Sequence, residues 1–189
     1  MTPLLPGAYR LPAALAVAAL AAAGAARADT AATELAAVRQ VFPETERVDS
    51  RDVLLTPEMV AAVERLARAR VKERMVTFYT ALAGSRVLGH AVIHSHIVRT
   101  KRETLVIGFE PDGRIRKILV VAFLEPPEYR PTERWLEQFQ GKGTKDRLTV
   151  GDDIAPISGA TLTARGIAEQ SRWLLQALQL AGVASEVRR

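Results

Sequence analysis

Thr104-Leu105-Val106-Ile107-Gly108-Phe109 and Ile115-Arg116-Lys117-Ile118-Leu119-Val120-Val121-Ala122-Phe123 stand on either side of Glu110-Pro111-Asp112-Gly113-Arg114. Both flanks are dominated by β-branched and aromatic residues, and Pro-Asp-Gly is turn chemistry, so the stretch reads as a hairpin. Upstream, Val87 to Val98 alternates, with Val87, Ala91, Ile93 and Ile97 on one face. Met75 to Ala81 reads as a further strand, closed by the turn Gly84-Ser85, and Pro126-Pro127 ends the sheet. Helices lie outside this block. Ala31 to Gln40 is Ala-rich. Thr56-Pro57-Glu58 opens a second helix, with a hydroxyl cap, proline in the first turn and an acid at the positive end of the dipole. Its stripe Val60, Val63, Leu66, Ala67 carries it to about Ala69. Thr132 to Gln140 reads as a short helix before the loop Gly141 to Lys145. Thr161 to Leu180 is a long helix with Ile167, Leu174, Leu175 and Leu178 inward. Strands that follow one another without intervening helices predict an α+β fold, a mainly antiparallel twisted sheet flanked by helices.

The first 28 residues carry Arg10 and Arg27 and no acid, around an Ala-, Leu- and Val-rich run from Leu11 to Ala26. That run falls short of the roughly 20 apolar residues needed to cross a bilayer. It has the size of a secretory leader, and Ala26-Arg27-Ala28 predicts cleavage after Ala28 and a periplasmic product, an uncleaved membrane anchor being the alternative. Removing the leader's two arginines lowers the formal charge of +5 to about +3. So modest and evenly spread a charge gives no argument for nucleic acid, but it leaves room for an acidic redox partner or an anionic lipid surface. The chain has no cysteine. Disulfides, thiolate-bound iron–sulfur clusters, covalent c-type haem and a lipoprotein anchor are thereby excluded.

The residues richest in chemistry are Ser158-Gly159-Ala160-Thr161-Leu162-Thr163, at the start of the long helix. The first amides of a helix have no intrahelical acceptor, and the dipole favours an anion beside them. Gly159 and Ala160 keep bulk away from an approaching phosphate, and Thr161 and Thr163 offer hydroxyls. A phosphate site and an ordinary helix start capped by Ser158 both satisfy these residues.

The same hexapeptide resembles the signature of the FMN-binding domain found in the flavin-carrying subunits of the Na⁺-pumping NADH:quinone reductase, the Rnf complex and related periplasmic flavoproteins. The resemblance extends over roughly residues 85 to 170. It takes in Gly89 (followed by His90, where the family has an aromatic), the Asp112-Gly113 turn, Glu125 after the strand, and Trp135 to Lys142. It implies FMN as cofactor, joined by a phosphoester to Thr161 by a dedicated flavin transferase. Ser158, Gly159, Ala160, Leu162 and Thr163 would surround the phosphate, with Glu125, Trp135 and Lys142 as further cofactor contacts. Where the family commonly has an acid two residues before the Ile-Ser pair, this chain has Ala155, and Asp153 just upstream is the residue left for transferase recognition. The implied organisation is a leader (1–28), an extension containing helix and strand (29–84) and an FMN-binding domain (85–189).

Lys142 and Lys145 are the cations nearest in sequence that could steady a reduced flavin. Tyr129, Trp135 and Phe139 are the aromatic residues to stack on it or, as the helical spacing of Phe139 favours, to fill the core. His90, His94 and His96 fall on one strand face; only the last two are close enough to share a metal ion, and no third ligand is evident. They read as solvent-exposed or flavin-adjacent rather than as a metal site. The run Arg99-Thr100-Lys101-Arg102-Glu103 reads as a solvated loop or a docking patch for a partner. No Gly-x-Ser-x-Gly elbow, phosphate-binding P-loop or His-Glu-x-x-His occurs, and the adjacent Asp152 and Asp153 do not suit glycosidase geometry. The expected role is a periplasmic electron carrier with a redox partner in or out of the membrane. A flavin-dependent reductase of a small substrate and a binding module without flavin are the alternatives.

Overall fold

The computed structural model describes residues 32–184. The expected leader and its cleavage point lie outside the described residues. The chain divides into two units, Met1–Glu34 and Leu35–Arg189. Of the first only residues 32–34 are described; the whole sheet and the longer helices that pack on it belong to the second.

Five strands form one sheet in the order of the chain: β1 (Arg47–Leu54), β2 (Met75–Ala83), β3 (Arg86–Ile97), β4 (Arg102–Phe109) and β5 (Ile115–Phe123). Every neighbouring pair is antiparallel. Helix α1 (residues 32–41) is followed by α2 (Pro57–Ala67), α3 (Glu133–Leu136) and α4 (Thr161–Leu180). The α+β expectation therefore holds. Both residue runs of the 104–123 hairpin are strands, and the long helix has the predicted limits. The eight residues of β1 have no strand signature of their own. Arg47, Asp49, Arg51 and Asp52 make the segment too polar to register as one, and it lies at the edge of the sheet, where charge discourages pairing with another chain. β1 and β2 both come from the 29–84 segment, so that segment supplies two of the five strands.

The period-2 alternation of side chains divides the apolar residues between two faces. On one, Val76, Phe78, Val92, Leu105, Ile107 and Phe109 pack beneath α2 and α4, which contribute Val63, Ile167, Leu174 and Leu178 among others. On the other, Tyr79, Ala81, Ala91 and Val106 meet Val38, Val41 and Phe42 from α1 and its exit. Gly108 permits that second contact, since a Cβ there would lie 2.1 Å from Val41 Cγ1. α2 begins as expected, with the Thr56 hydroxyl accepting from Met59 N–H at 3.2 Å. The predicted helix from Thr132 is four α-helical residues continued by a 3-10 turn, Glu137–Phe139, and Phe139 is fully buried.

Of the two readings of the histidines, the solvent-exposed one fails: all three are buried. His94 and His96 look towards α4. Gln170 Oε1 accepts from Trp173 Nε1–H at 2.6 Å and lies 2.9 Å from His94 Nε2. An indole N–H only donates, so the Gln170 oxygen is the acceptor for both, and His94 carries its proton on Nε2. His96 Nε2 sits 3.2 Å from a carboxylate oxygen of Glu103, a residue with no exposed surface. Glu103, expected in a solvated charged run with its neighbours, is thus an interior residue. The sequence signal is ambiguous because a charged residue at the start of a strand looks the same on either face.

Burial, reinforced by the neighbouring His96 charge and by Lys72, lowers the His94 pKa to about 4, against the opposing hydrogen bond to Gln170. A depressed imidazole pKa means that the unfolded chain binds a proton the folded one refuses. Stability is then complete above the unfolded value near 6.5 and falls as the pH drops toward 4, by up to about 3 kcal/mol. Urea unfolding between pH 7.5 and 4.5 should show this loss. His94→Gln, which cannot titrate, should flatten that part of the profile.

Candidate functional site

The approach to α4 is a tight turn. Ala160 N–H donates to Ile157 O at 3.1 Å, and Gly159 occupies the third turn position with φ +76°. A side chain at 159 would be strained by that φ, although the space around it is open. The turn moves Ser158 out of the capping position. Ala160 is the N-cap, with φ −121°, and no side chain bonds to the first helical amides. The first turn contains no acid, and the first amide satisfied within the helix is Ala164 N, on Ala160 O at 3.1 Å. The amides of Thr161, Leu162 and Thr163 are therefore available at the positive end of a 20-residue helix.

These residues line a cavity of about 190 Å³ together with Gly159, Ala160, Val98, Arg99, Glu125 and Tyr129. The wall opposite the helix is the β3–β4 turn, closed by Val98 N–H donating to Lys101 O at 3.1 Å. Glu125 shapes that turn. Its Oε1 accepts from the amides of Arg99, Thr100 and Lys101 at 3.1, 2.7 and 2.7 Å. The Thr100 and Lys101 amides hold its carboxyl pKa below the ordinary value, outweighing the upward push of desolvation. Because backbone donors compensate the carboxylate charge, an acid in the wall does not forbid an anion in the cavity. Arg99 is among the lining residues, and nothing in the sequence separates it from its charged neighbours.

Of the residues expected to contact a cofactor, Gly159, Ala160, Thr161, Leu162, Thr163 and Glu125 come together here, and Tyr129 joins them. Ser158, Trp135 and Lys142 do not line the cavity. Ser158 is exposed in the turn. Trp135 packs edge-on against Phe139, with ring centroids 5.4 Å apart, and its Nε1–H donates to Ala155 O at 2.8 Å. Lys142 pairs with Asp153 at 3.2 Å. Lys145 lines a separate groove beside Arg68 and Arg172. Asp153 also accepts from the amides of Leu148 and Thr149 at 3.0 and 2.7 Å. Burial raises its carboxyl pKa, but those amides and Lys142 outweigh it and leave the group below its usual value. Asp153 thus holds the loop that delivers the chain to α4.

The site can bind a compact anion: helix-start amides, a helix dipole, one arginine and two threonines line a space too small for a typical organic ligand, whose pocket runs to about 300 Å³ or more. No protein-family model matches the chain, and no curated protein matches it. Among solved structures it is similar to the crystal structure of NqrC from Shewanella oneidensis, with a TM-score of 0.50 and 16% identity, over 79% of this chain and 87% of that one. At that identity the likeness establishes a shared fold.

The Glu125 clamp generates a measurable expectation. In Glu125→Ala the amides of Thr100 and Lys101 lose their acceptor, and their hydrogen exchange should accelerate roughly tenfold or more while the β4–β5 amides keep their protection. Unchanged exchange at the turn would show that the carboxylate does not hold it.

Proposed function

We propose that the chain is an exported flavoprotein electron carrier that holds FMN by its phosphate at the N-terminus of α4, with a phosphoester to Thr161 made by a flavin transferase. The observation that carries the reading is the uncapped, acid-free start of α4, formed by Ser158 to Thr163 and opening into a cavity shared with Arg99. The fold likeness to NqrC points the same way as the resemblance of residues 85 to 170 to FMN-binding domains.

The residues fit the phosphate end of the cofactor. The amides of Thr161, Leu162 and Thr163 and the Arg99 guanidinium would take its oxygens, and Gly159 lets the backbone approach. Thr161 is exposed, as an ester-forming hydroxyl must be for a transferase to reach it. Tyr129 and Leu162 flank the opening and offer surfaces to the rest of the cofactor. FMN would supply the electron chemistry of its ring, and the chain's part is to hold and orient it. Periplasmic location follows from the leader reading and belongs to the same proposal. The carrier reading is preferred to a reductase because the cavity leaves no enclosed space for a second substrate.

Expression with a flavin transferase tests the ester. Intact-mass spectrometry should show the protein heavier by one FMN less one water, and Thr161→Ala should lack that increment. A colourless wild-type protein without it would falsify the flavin reading. Non-covalent affinity isolates Arg99. In a Thr161→Ala background, Arg99→Gln should weaken FMN binding, followed by flavin fluorescence, by about ten- to a hundredfold, as expected for a charge-assisted contact of about 1.5–3 kcal/mol. A purified holoprotein that reduces small substrates at steady state without a partner protein would favour the reductase.

A further inference from the structure

His96 and Glu103 face each other across β3 and β4 in the interior, their side chains 4% and 0% exposed. His96 Nε2 stands 3.2 Å from Glu103 Oε2, yet the two are too poorly aligned to form a hydrogen bond. Both ring nitrogens of His96 and both carboxylate oxygens of Glu103 therefore have no hydrogen-bond partner among the described residues. Buried polar atoms are nearly always paired, so four such atoms in one place mark a site. Its position ties it to the cavity. Val98, which lines the cavity, follows His96 by two residues and so continues the same face of the strand. Thr163, which also lines it, precedes Gly166 by three residues and so shares its side of α4. Gly166 in turn meets His96, since a Cβ there would lie 3.0 Å from His96 Nε2. One step inward from either wall, the chain arrives at the same pair.

Few other charges face the pair. On β3, the His94 ring stacks with that of His96, centroids 6.0 Å apart, and burial lowers its pKa to about 4, so it is neutral at ordinary pH. Lys72 acts on His94 from the stretch between α2 and β2. β5 sets Phe123 opposite Glu103. α4 brings no ionisable side chain at Thr163, Gly166, Ile167 or Gln170; its Arg165 is exposed, and its Glu169 acts on Arg172. From the cavity side come Arg99, Tyr129 and Glu125, the last held by the turn amides. The charge with most leverage on the pair is therefore the one that occupies the cavity.

We propose that His96 and Glu103 form a proton-binding site at the inner end of the cavity, which takes up a proton from solvent when an anion binds at the start of α4. The inference rests on the anion reading of the cavity and adds how the interior answers the anion's charge. The positive potential of the helix start opposes an added proton. An anion beside the first amides reverses that potential, and inside a protein such an effect is weakly screened. The proton goes to a lone pair of His96 or Glu103 that has no other partner, and the net charge of the pair rises by one. A phosphate held in the cavity thereby gains an internal counter-charge. Because coupling between two binding events is reciprocal, the anion binds more tightly as the pH falls.

Flavin-free full-length protein titrated with inorganic sulfate at constant ionic strength provides the test. Sulfate keeps its charge over the range where imidazoles titrate, so any pH dependence comes from the protein. Amide NMR signals of Thr161, Leu162 and Thr163 read occupancy, and the ring carbons of His96 read the proton. Sulfate should bind about threefold or more tighter at roughly pH 5.5 than at roughly pH 8, and should shift the His96 ring toward its protonated form. His96→Gln and Glu103→Gln each remove half of the pair and should flatten the pH profile of sulfate binding, whereas His94→Gln should keep it. Should these variants not fold, the wild type still decides the matter: in weakly buffered solution it should take up as much as about one proton per sulfate bound. Helix-start amides that ignore sulfate at every pH would overturn the anion reading and this inference together. Amides that respond with a pH-independent affinity, or with a pH dependence kept in both glutamine variants, would overturn the proton site alone. So would sulfate binding with no proton uptake.

Discussion

The contact on which the site depends is the buried polar seam between β3 and α4. Apolar packing decides which face of α4 turns toward the sheet, but a greasy interface of Ile167, Leu174 and Leu178 tolerates sliding along the helix axis. Hydrogen bonds inside the core do not. Gln170 must meet His94 and Trp173 together, because a buried polar group left without its partner costs far more than a satisfied one gains. Gly166 fixes the same register sterically, since a Cβ there would stand 3.0 Å from His96 Nε2. With its middle fixed at Gly166 and Gln170, α4 has its first turn placed at the end of β3, beside the Val98–Lys101 turn. The cavity follows from that placement.

Much of this is legible in the sequence because local and tertiary preferences agree there. The Pro-Asp-Gly hairpin, the Thr56 cap and the helix from Thr161 to Leu180 each carry their own signals, and each occurs where expected. What stays hidden depends on partners distant in the chain. β1 is a strand because β2 pairs with it, while its own composition argues for a loop. His94 is buried because Gln170, 76 positions later, satisfies it. Ser158 has the chemistry of a helix cap, and only the positive φ of Gly159 shows that the chain turns once more before the helix begins. Arg99 and Glu125 cannot be joined from sequence alone. One lies in a charged run and the other after a strand, and three backbone hydrogen bonds bring them to one wall.

The electrostatics of the cavity show how an acid and an anion site coexist. A bare carboxylate at Glu125 would offset the positive potential of the helix start and disfavour an anion in the cavity it lines. Three converging amides offset that charge with the donors of the very turn that presents Arg99. The clamp therefore shapes the turn and offsets part of the carboxylate's charge with one set of bonds. Asp153 follows the same logic on the other side of the helix start. Leu148, Thr149 and Lys142 absorb its charge while it orders the loop.

That loop also bears on Ala155, which stands where the resembling family commonly has an acid. A side chain at this position is not needed to hold the backbone, because the backbone is held at both of its polar atoms. Ala155 N–H donates to Gln138 Oε1 at 2.7 Å, and Ala155 O accepts from Trp135 Nε1 at 2.8 Å. Trp135 and Gln138 belong to the segment that the resemblance matches and that the cavity does not include. They fasten α3 and its 3-10 continuation to the stretch of chain leading into the Gly159 turn. The segment thus serves the helix start from behind, by fixing the direction from which residues 155 to 158 arrive. The segment whose residues suggest contacts to a cofactor thus also supplies backbone geometry at the approach to α4.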